Sequence, residues 1–439
     1  MNRAVYIIVA ALLFTVSAQA TKQPNIVLII SDDQAWTDYS FMGHKKIKTP
    51  NIDRLSKESR LFKRGYVPTS LCCPSLASII TGLYPHQTKI TGNEPPVPNG
   101  GKNSEQYKSQ VQECVSFIDD IPTLPRLLAQ QGYISHQSGK WWQGHYSRGG
   151  FTHGMTHGDP KRGGRHGDKG LKIGREGMKE IFDFIENRNG KPFFTWYAPF
   201  LPHTPHNPPK RLLNKYLQQT DSKFIARYWA MCEWFDETCG ELLDYLDAKN
   251  LTNDTIVIYV TDNGWIQRAD NGRYAPRSKR SQYDGGLRTP IMLRWPGKIK
   301  PEERQELANS IDLAPTILKA CGLNPTEKML GIDLLDDEAL SERKFTYGAC
   351  YLHNAVDIHT PKANLTYRWL IHGDWKIILP NEVNVTTHSK EKGTGKIELY
   401  NLTKDPLEKN NLAESKHAIV KRLTRQLDKQ LPTSKTKGI

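Results

Sequence analysis

Continuous runs of apolar, β-branched residues constrain the fold of this chain more than any other feature. Three such runs span residues 25–30, 191–198 and 255–261, and stretches with helical periodicity lie at 121–132 and 224–246. A run without polar alternation is typical of a strand that is buried on both faces of a parallel sheet. Buried strands that alternate with helices indicate an α/β core, and 439 residues are enough to bury one.

Polar side chains follow two of these runs directly. Asp32 and Asp33 come after the first run, and Asp262, Asn263 and Gly264 come after the third. In open α/β sheets, ligands gather at the carboxyl ends of the strands. Two adjacent carboxylates repel each other unless a cation lies between them, and carboxylate and amide oxygens suit a hard cation. Each motif alone could be a simple turn, but together they predict a cation site.

The stretch 69–86 contains two adjacent cysteines, Cys72 and Cys73, followed by a short apolar run. Pro74 suits the first turn of a helix, because its missing N–H is not needed there, and Gly82 ends the run. Cys72 would then lie near a helix N-terminus, where the dipole favours a developing negative charge. This position suits a nucleophile that attacks an anionic ester. A buried pair of cysteines is the simpler interpretation, and the residues alone slightly favour it.

Residues 72–82 resemble the signature of the type I sulfatases, Cys-x-Pro-Ser-Arg-Ala-Ser-x-x-Thr-Gly. The matching positions are Cys72, Pro74, Ser75, Ala77, Ser78, Thr81 and Gly82. Leu76 departs from the pattern, because the family usually has Arg there. In that family a maturation enzyme oxidises the first Cys to formylglycine, which is the catalytic nucleophile once hydrated. The resemblance therefore implies that a formylglycine-generating enzyme modifies Cys72.

The resemblance extends to the cation site, because the strand with its Asp-Asp pair and the later Thr-Asp-Asn-Gly are both family motifs. In the family these side chains bind calcium. The resemblance implies one Ca²⁺ per chain, held by Asp32, Asp33, the modified Cys72, Asp262 and Asn263.

Three further motifs resemble parts of the sulfatase active site. Gly-Lys-Trp at 139–141 implies that Lys140 touches the substrate sulfate and the nucleophile. Pro-His-x-Pro implies that His203 contacts the sulfate ester, and a buried strand before it suits a general acid at the sheet edge. The segment after residue 277 implies that Lys279 binds sulfate and assists the leaving oxygen.

Three residues near these motifs are candidates for substrate binding. Trp142 replaces the His of the family pattern, and we hypothesise that its ring stacks on the apolar face of a sugar. His145 follows three residues later and could reach into that place, although a lone His is more often structural. Arg288 matches an Arg of the third motif.

Residues 144–174 are rich in glycine, histidine and basic residues. Their spacing fits no common metal-ligand pattern. We interpret the segment as a long loop over the mouth of the active site that attracts anionic substrate. A solvated, disordered loop explains the composition equally well.

The formal net charge of +14 favours acidic partners. Nothing in the sequence resembles a nucleic-acid-binding module, so a sulfated glycan is the expected polyanion and nucleic acid is not expected. The seven cysteines fit neither a disulfide scaffold nor a zinc site, and one or two disulfides remain possible without an assignment.

The first 20 residues have the pattern of a secretory signal, with Arg3, an apolar run and the small-residue cleavage site Ala18-Gln19-Ala20. We therefore expect export to the periplasm or the medium. No later apolar run is long enough to span a bilayer.

The domains expected after the signal peptide (1–20) are a catalytic α/β domain at 21–340, an antiparallel-sheet subdomain at 341–433 and a basic tail at 434–439. The family resemblance implies an alkaline-phosphatase-like fold, an α/β/α sandwich around a mixed sheet with a small C-terminal α+β subdomain.

The resulting functional hypothesis is a sulfuric ester hydrolase that removes sulfate from a sulfated carbohydrate. One alternative is a phosphoester or phosphonate hydrolase on the same fold. The other is a non-catalytic binder of sulfated glycans, because Leu76 and Trp142 replace two residues of the family site.

Overall fold

The computed structural model describes residues 23–162, 164–381 and 394–432. The predicted signal peptide and basic tail lie outside these residues. Among the described residues, no helix is both long and apolar enough to cross a membrane.

A nine-stranded mixed sheet forms the centre of the molecule, with eight strands in the order β4-β3-β5-β1-β6-β7-β2-β8 and β9 paired with β2. Its strands are β1 (Asn25–Ser31), β2 (Arg60–Tyr66), β3 (Ile134–Gly139), β4 (His153–Gly154), β5 (Phe193–Ala198), β6 (Thr255–Thr261), β7 (Arg288–Arg294), β8 (Glu302–Arg304) and β9 (Ala308–Asn309). The described α-helices are α1 (Pro50–Lys57), α2 (Cys72–Thr81), α3 (Pro85–Thr88), α4 (Glu105–Ser116), α5 (Leu124–Ala129), α6 (Lys179–Glu186), α7 (Lys210–Leu217), α8 (Lys223–Ala248), α9 (Asp284–Leu287), α10 (Leu313–Ala320), α11 (Asp337–Glu342) and α12 (His417–Gln430).

Strand β1 lies inside the sheet and pairs in parallel with β5 and β6, while β3 pairs in parallel with β5. The register places Ser31 beside Thr261 and Gly139 beside Ala198. The four strands therefore end at one edge of the sheet, and the residues that follow them are collected there.

Helices cover both faces of this sheet. Ile26, Leu28 and Ile30 of β1 belong to one apolar core, which includes residues of α2, α5 and α10. Val27 and Ile29 point to the other face and pack with residues of α1, α6 and α8. This alternation in a wholly buried strand explains why its sequence is continuously apolar.

A second, four-stranded antiparallel sheet follows, formed by β10 (Phe345–Tyr351), β11 (Leu365–His372), β12 (Trp375–Pro380) and β13 (Glu398–Asn401). Leu423 and Leu427 of α12 are buried against it. The predicted C-terminal antiparallel sheet is therefore present, while the domain boundary at residue 340 stays a prediction. All seven cysteines are free thiols, so the possible disulfides do not form.

Candidate active site

The acidic pair after β1 is fixed by backbone hydrogen bonds to its neighbours at the sheet edge. Asp32 N donates to Leu201 O at 3.0 Å, and Gln34 N donates to Asn263 O at 3.2 Å. Asp33 between them has φ 65°, in the left-handed region that Asp tolerates better than most residues. This turn brings the two adjacent carboxylates into the same buried space.

The carboxylates meet the polar residues that follow β6. Asp262 Oδ1 accepts hydrogen bonds from Asp33 N at 3.1 Å and Asn263 N at 2.6 Å. Asn263 Nδ2 donates to Asp33 Oδ1 at 2.7 Å. Ligand atoms of Asp32, Asp33 and Cys72 all lie within 4.8 Å of one another. Asp32, Asp33 and Cys72 thus form one group, and Asp262 and Asn263 adjoin it through hydrogen bonds to Asp33.

Three oxygens of this cluster are buried and have no hydrogen-bond partner among the described residues: Asp32 Oδ2, Asp262 Oδ2 and Asn263 Oδ1. A buried, unsatisfied oxygen is costly. Burial also raises the pKa of both Asp32 and Asp262, which means that their ionised forms need a compensating charge. Oxygen donors with these properties fit a hard divalent cation.

Two buried lysines offset part of the negative charge of the cluster. Lys140 follows β3 and places Nζ 2.7 Å from Asp32 Oδ1, and Lys279 places Nζ 2.7 Å from Asp33 Oδ2. Burial alone would lower the pKa of Lys140, but the ion pair with Asp32 outweighs it and raises the pKa well above its ordinary value. Both side chains therefore supply positive charge beside Cys72.

His203 lies on the loop after β5, where its Nε2 is 3.3 Å from Asp33 Oδ2 and 3.5 Å from Lys279 Nζ. Its Nδ1 is 2.6 Å from Thr204 O, which can only accept, so Nδ1 carries a proton. Burial and the charges of Lys140 and Lys279 lower the pKa of His203 well below its ordinary value. The imidazole is therefore neutral.

Cys72 is the first residue of α2, as its sequence context predicts, and it is buried. Ser75 Oγ donates to Asp262 O at 2.5 Å and ties this helix to the end of β6. Burial raises the pKa of the Cys72 thiol to about 12, so the unmodified side chain is protonated and a weak nucleophile. Leu76 is buried in the apolar core that also contains Cys72.

Two of the three candidate substrate residues, Trp142 and His145, are engaged in contacts within the protein. Trp142 is buried, with Arg165 over its ring at 5.2 Å and His166 beside it at 5.3 Å, so little of the indole is open to a sugar. His145 does not reach toward Trp142, because its Nδ1 bonds Ser147 and its ring packs on Tyr146.

Arg288 has partners outside the cation cluster. Its Nε donates to Lys63 O at 2.9 Å, and its guanidinium lies 4.1 Å from the centre of the Trp36 ring. These contacts give Arg288 a structural explanation, and its predicted contact with substrate has no support from the geometry.

Sequence reasoning missed two residues beside the cluster, Phe200 and Arg175. The Phe200 ring stacks on His203 at 4.2 Å and lies 5.5 Å from Lys140 Nζ. Arg175 donates to the carbonyl oxygens of Phe200 and His203, both at 2.8 Å. Both residues lie in segments without periodicity, and only the family motif at His203 pointed to this region.

The family model described as Sulfatase matches residues 24–323. The chain belongs to the sulfatase family. A second model, described as N-sulphoglucosamine sulphohydrolase, C-terminal, matches residues 272–437. As a member of this family, the sulfatase is a sulfuric ester hydrolase. Family membership also implies, in general terms, a metal ion and a cysteine-derived formylglycine.

Named relatives cover almost the whole of this sulfatase. The N-acetylgalactosamine-6-sulfatase of Canis lupus familiaris is 27% identical, over 90% of this chain and 82% of the relative. The N-acetylgalactosamine-6-O-sulfatase of Bacteroides thetaiotaomicron is 23% identical, over 94% of each.

Solved structures support the same fold. A structure determined in complex with its substrate D-glucosamine-2-N,6-O-disulfate aligns with a TM-score of 0.71 at 21% identity, over 93% of this chain and 97% of that chain. The phosphonate monoester hydrolase of Agrobacterium radiobacter aligns with a TM-score of 0.66 at 16% identity, over 93% of this chain and 95% of that chain. The predicted alkaline-phosphatase-like fold is therefore confirmed.

Proposed function

We propose that this sulfatase removes sulfate from a sulfated carbohydrate, using Ca²⁺ and a formylglycine made from Cys72. The observation that carries the proposal is the grouping of Cys72 with three unpartnered carboxylate and amide oxygens between two buried lysines. The named substrates of the relatives and of the aligned complex, which are sulfated amino sugars, support the carbohydrate class.

The cation would be held by Asp32, Asp33, Asp262 and Asn263 together with the side chain at position 72. When bound, Ca²⁺ supplies positive charge beside the sulfate, and the hydrated aldehyde supplies an oxygen nucleophile. All side-chain donors apart from position 72 are oxygens, which favours calcium over a transition metal.

Side chains of the protein bind the sulfate and stabilise its negative charge. Lys140 and Lys279 are charged, buried and fixed by ion pairs, so they stabilise negative charge without reorganising. Lys279 Nζ also carries protons that the leaving alcohol oxygen needs. His203 Nε2 is an unprotonated acceptor 3.5 Å from Lys279 Nζ, which suits it to orient that ammonium group.

Maturation and localisation follow from the same proposal. Since the unmodified thiol is protonated, conversion by a formylglycine-generating enzyme would be needed for activity. Leu76 shows that this enzyme would have to accept a substrate without the Arg of the usual signature. The signal-like N-terminus supports export to the periplasm or the medium.

The first test is mass spectrometry of the tryptic peptide Gly65–Lys89 from protein made in its natural host. We expect the mass of an aldehyde, with fragmentation placing it at Cys72. Turnover is then measured with N-acetylgalactosamine 6-sulfate, D-glucosamine 6-sulfate, a carrageenan oligosaccharide, an aryl sulfate and an aryl phosphonate. Unmodified thiol with no sulfate release would overturn the proposal, and faster phosphonate turnover would favour the alternative hydrolase.

Matched variants test the nucleophile at position 72, and metal removal separately tests the role of the cation. Cys72→Ala should abolish sulfate release, whereas Cys73→Ala, at the next buried cysteine, should keep activity within about ten-fold. Removal of the ion with EGTA should abolish turnover, and Ca²⁺ should restore it. Activity that survives complete chelation would overturn the metal role.

A further inference from the structure

The segment 164–168 of the long loop lies against the active-site cluster and is tied to it on both sides. Trp141 N, next to Lys140, donates to His166 O at 3.2 Å. Thr156 Oγ1 donates to Gly167 O at 2.9 Å. The loop is thus attached to the residue that follows Lys140.

The charged side chains on either side of His166 are engaged within the protein. Arg165 donates to Trp142 O at 2.8 Å and to Asn93 O at 2.7 Å. Asp168 Oδ2 accepts from two backbone N–H groups of the same loop, at 2.8 and 3.0 Å. This segment is therefore a built structure and not a solvated basic tract.

The His166 side chain differs from its neighbours. Among the described residues, neither of its ring nitrogens has a hydrogen-bond partner, and the side chain is partly exposed. The ring packs between Trp142 and Phe200, with centroid distances of 5.3 and 5.7 Å. Since Phe200 in turn stacks on His203, the open imidazole is one aromatic ring away from the cluster.

The charge state of His166 decides which ligand group it suits. Burial and the charge of Lys140 lower its pKa to about 4, so the ring is neutral at neutral pH. A neutral imidazole has one N–H donor and one acceptor nitrogen. This pair matches a hydroxyl group, which both donates and accepts, better than a sulfate group, which only accepts.

We propose that His166 is a specificity-determining residue that hydrogen-bonds a hydroxyl of the sugar unit bearing the sulfate ester. This inference rests on the proposed function and assigns a second part of the same site. Lys140 and Lys279 bind the sulfate, and His166, held by Trp142 and Phe200, contacts the sugar beside it.

The test compares His166→Ala and His166→Gln with His153→Gln, a control at an exposed histidine of β4 in the same segment 144–174. Two probes are used. One is the saccharide of the panel above that the wild type turns over fastest, and the other is inorganic sulfate as a competitive inhibitor. We expect His166→Ala to lower kcat/KM for the saccharide roughly ten-fold or more, from the lost hydrogen bond. The inhibition constant of sulfate should stay within two-fold, because sulfate has no hydroxyl.

Gln carries both a donor and an acceptor, so His166→Gln should recover part of the loss, and the His153→Gln control should match the wild type. Unchanged saccharide kinetics in His166→Ala would overturn the inference. So would an equal loss of sulfate binding, because the residue would then act on the sulfate or on folding. A wild-type protein that turns over no saccharide is a separate outcome, seen before any variant is compared, and it would overturn the proposed function.

Discussion

Lys279 has two roles in the proposed mechanism, because its ammonium group stabilises negative charge and can donate a proton. Its Nζ contacts Asp33 Oδ2 at 2.7 Å and lies 3.5 Å from His203 Nε2. The ion pair with Asp33 outweighs the effect of burial and raises the pKa of Lys279, so the side chain stays protonated until a basic leaving group takes its proton. In the proposed site, the same ion pair would compete with Ca²⁺ for the carboxylate of Asp33.

We expect Lys279→Met to lower kcat roughly 10²–10³-fold, the usual effect of removing one group that stabilises the transition state. Calcium affinity should not fall, since Asp33 loses a competing cation. The measurements are steady-state kinetics at saturating Ca²⁺ and calorimetric titration of the metal, with Lys298→Met as a control at an exposed lysine. Full activity with the metal bound would contradict the catalytic role.

At the scale of elements, Arg175 makes several contacts from another segment to the loop that carries His203. Arg175 donates to Phe200 O, to His203 O and, at 2.6 Å, to Asn207 Oδ1. Its guanidinium also lies 5.4 Å from the Phe200 ring centre and 5.8 Å from that of Trp234. A planar group with several donors can make these bonds together, whereas an ammonium group cannot.

Arg175→Met should therefore loosen the loop 199–207 and lower kcat by roughly 10- to 100-fold, because a misplaced catalytic group costs about this much. Arg175→Lys should restore little. Hydrogen exchange of the loop amides and kcat are measured together, with Lys172→Met as the exposed control. Unchanged exchange with a lost kcat would argue against positioning and for direct contact with substrate.

Helix α8 is joined to the start of α1 by a buried carboxylate. Asp236 accepts from Ile52 N at 2.7 Å and from Asn51 Nδ2 at 2.9 Å. Burial raises its pKa to about 7, above the unfolded value of about 3.9. The folded state therefore binds the proton more tightly, and the associated stability is complete below pH ~4 and lost as the pH rises through about 7.

We expect the free energy of unfolding of the wild type, measured relative to Asp236→Asn, to fall by about 3 kcal/mol between pH 5 and pH 8. Urea unfolding at both pH values checks this. Asp244→Asn on the same helix is the control, because that side chain is 65% exposed. A pH-independent difference between wild type and Asp236→Asn would show that the carboxyl is ionised throughout.

The elements that could be predicted are those in which one physical requirement dominates. Strand β6 has the predicted bounds, Thr255–Thr261, because a continuous apolar run can only be buried. The places of Trp142 and His166 could not be predicted, because both depend on contacts made by an irregular loop. Arg165 reaches back over 23 residues to cover Trp142, and no periodicity indicates such a contact.

At the scale of the whole molecule, the C-terminal sheet holds the segment that carries Lys279. Lys376 of β12 is fully buried and lies 2.8 Å from both Asp284 Oδ1 and Glu408 Oε1. Tyr283 OH donates to both carboxylate oxygens of Glu398, each at 2.9 Å. The two sheets are thus joined through polar contacts close in sequence to Lys279.

Lys376→Met tests this junction, because it leaves two buried carboxylates, Asp284 and Glu408, without their shared cation. Removal of one partner from a buried ion pair costs about 3–5 kcal/mol, and we expect a loss of this size in the free energy of urea unfolding. Lys376→Met combined with Glu408→Gln should recover part of it, because one uncompensated charge is gone. Lys409→Met, at an exposed lysine of the same segment, should change stability by less than about 0.5 kcal/mol. If Lys376→Met unfolds at the wild-type midpoint, the contacts of Tyr283 and the apolar packing between the sheets must hold the junction without the ion pairs.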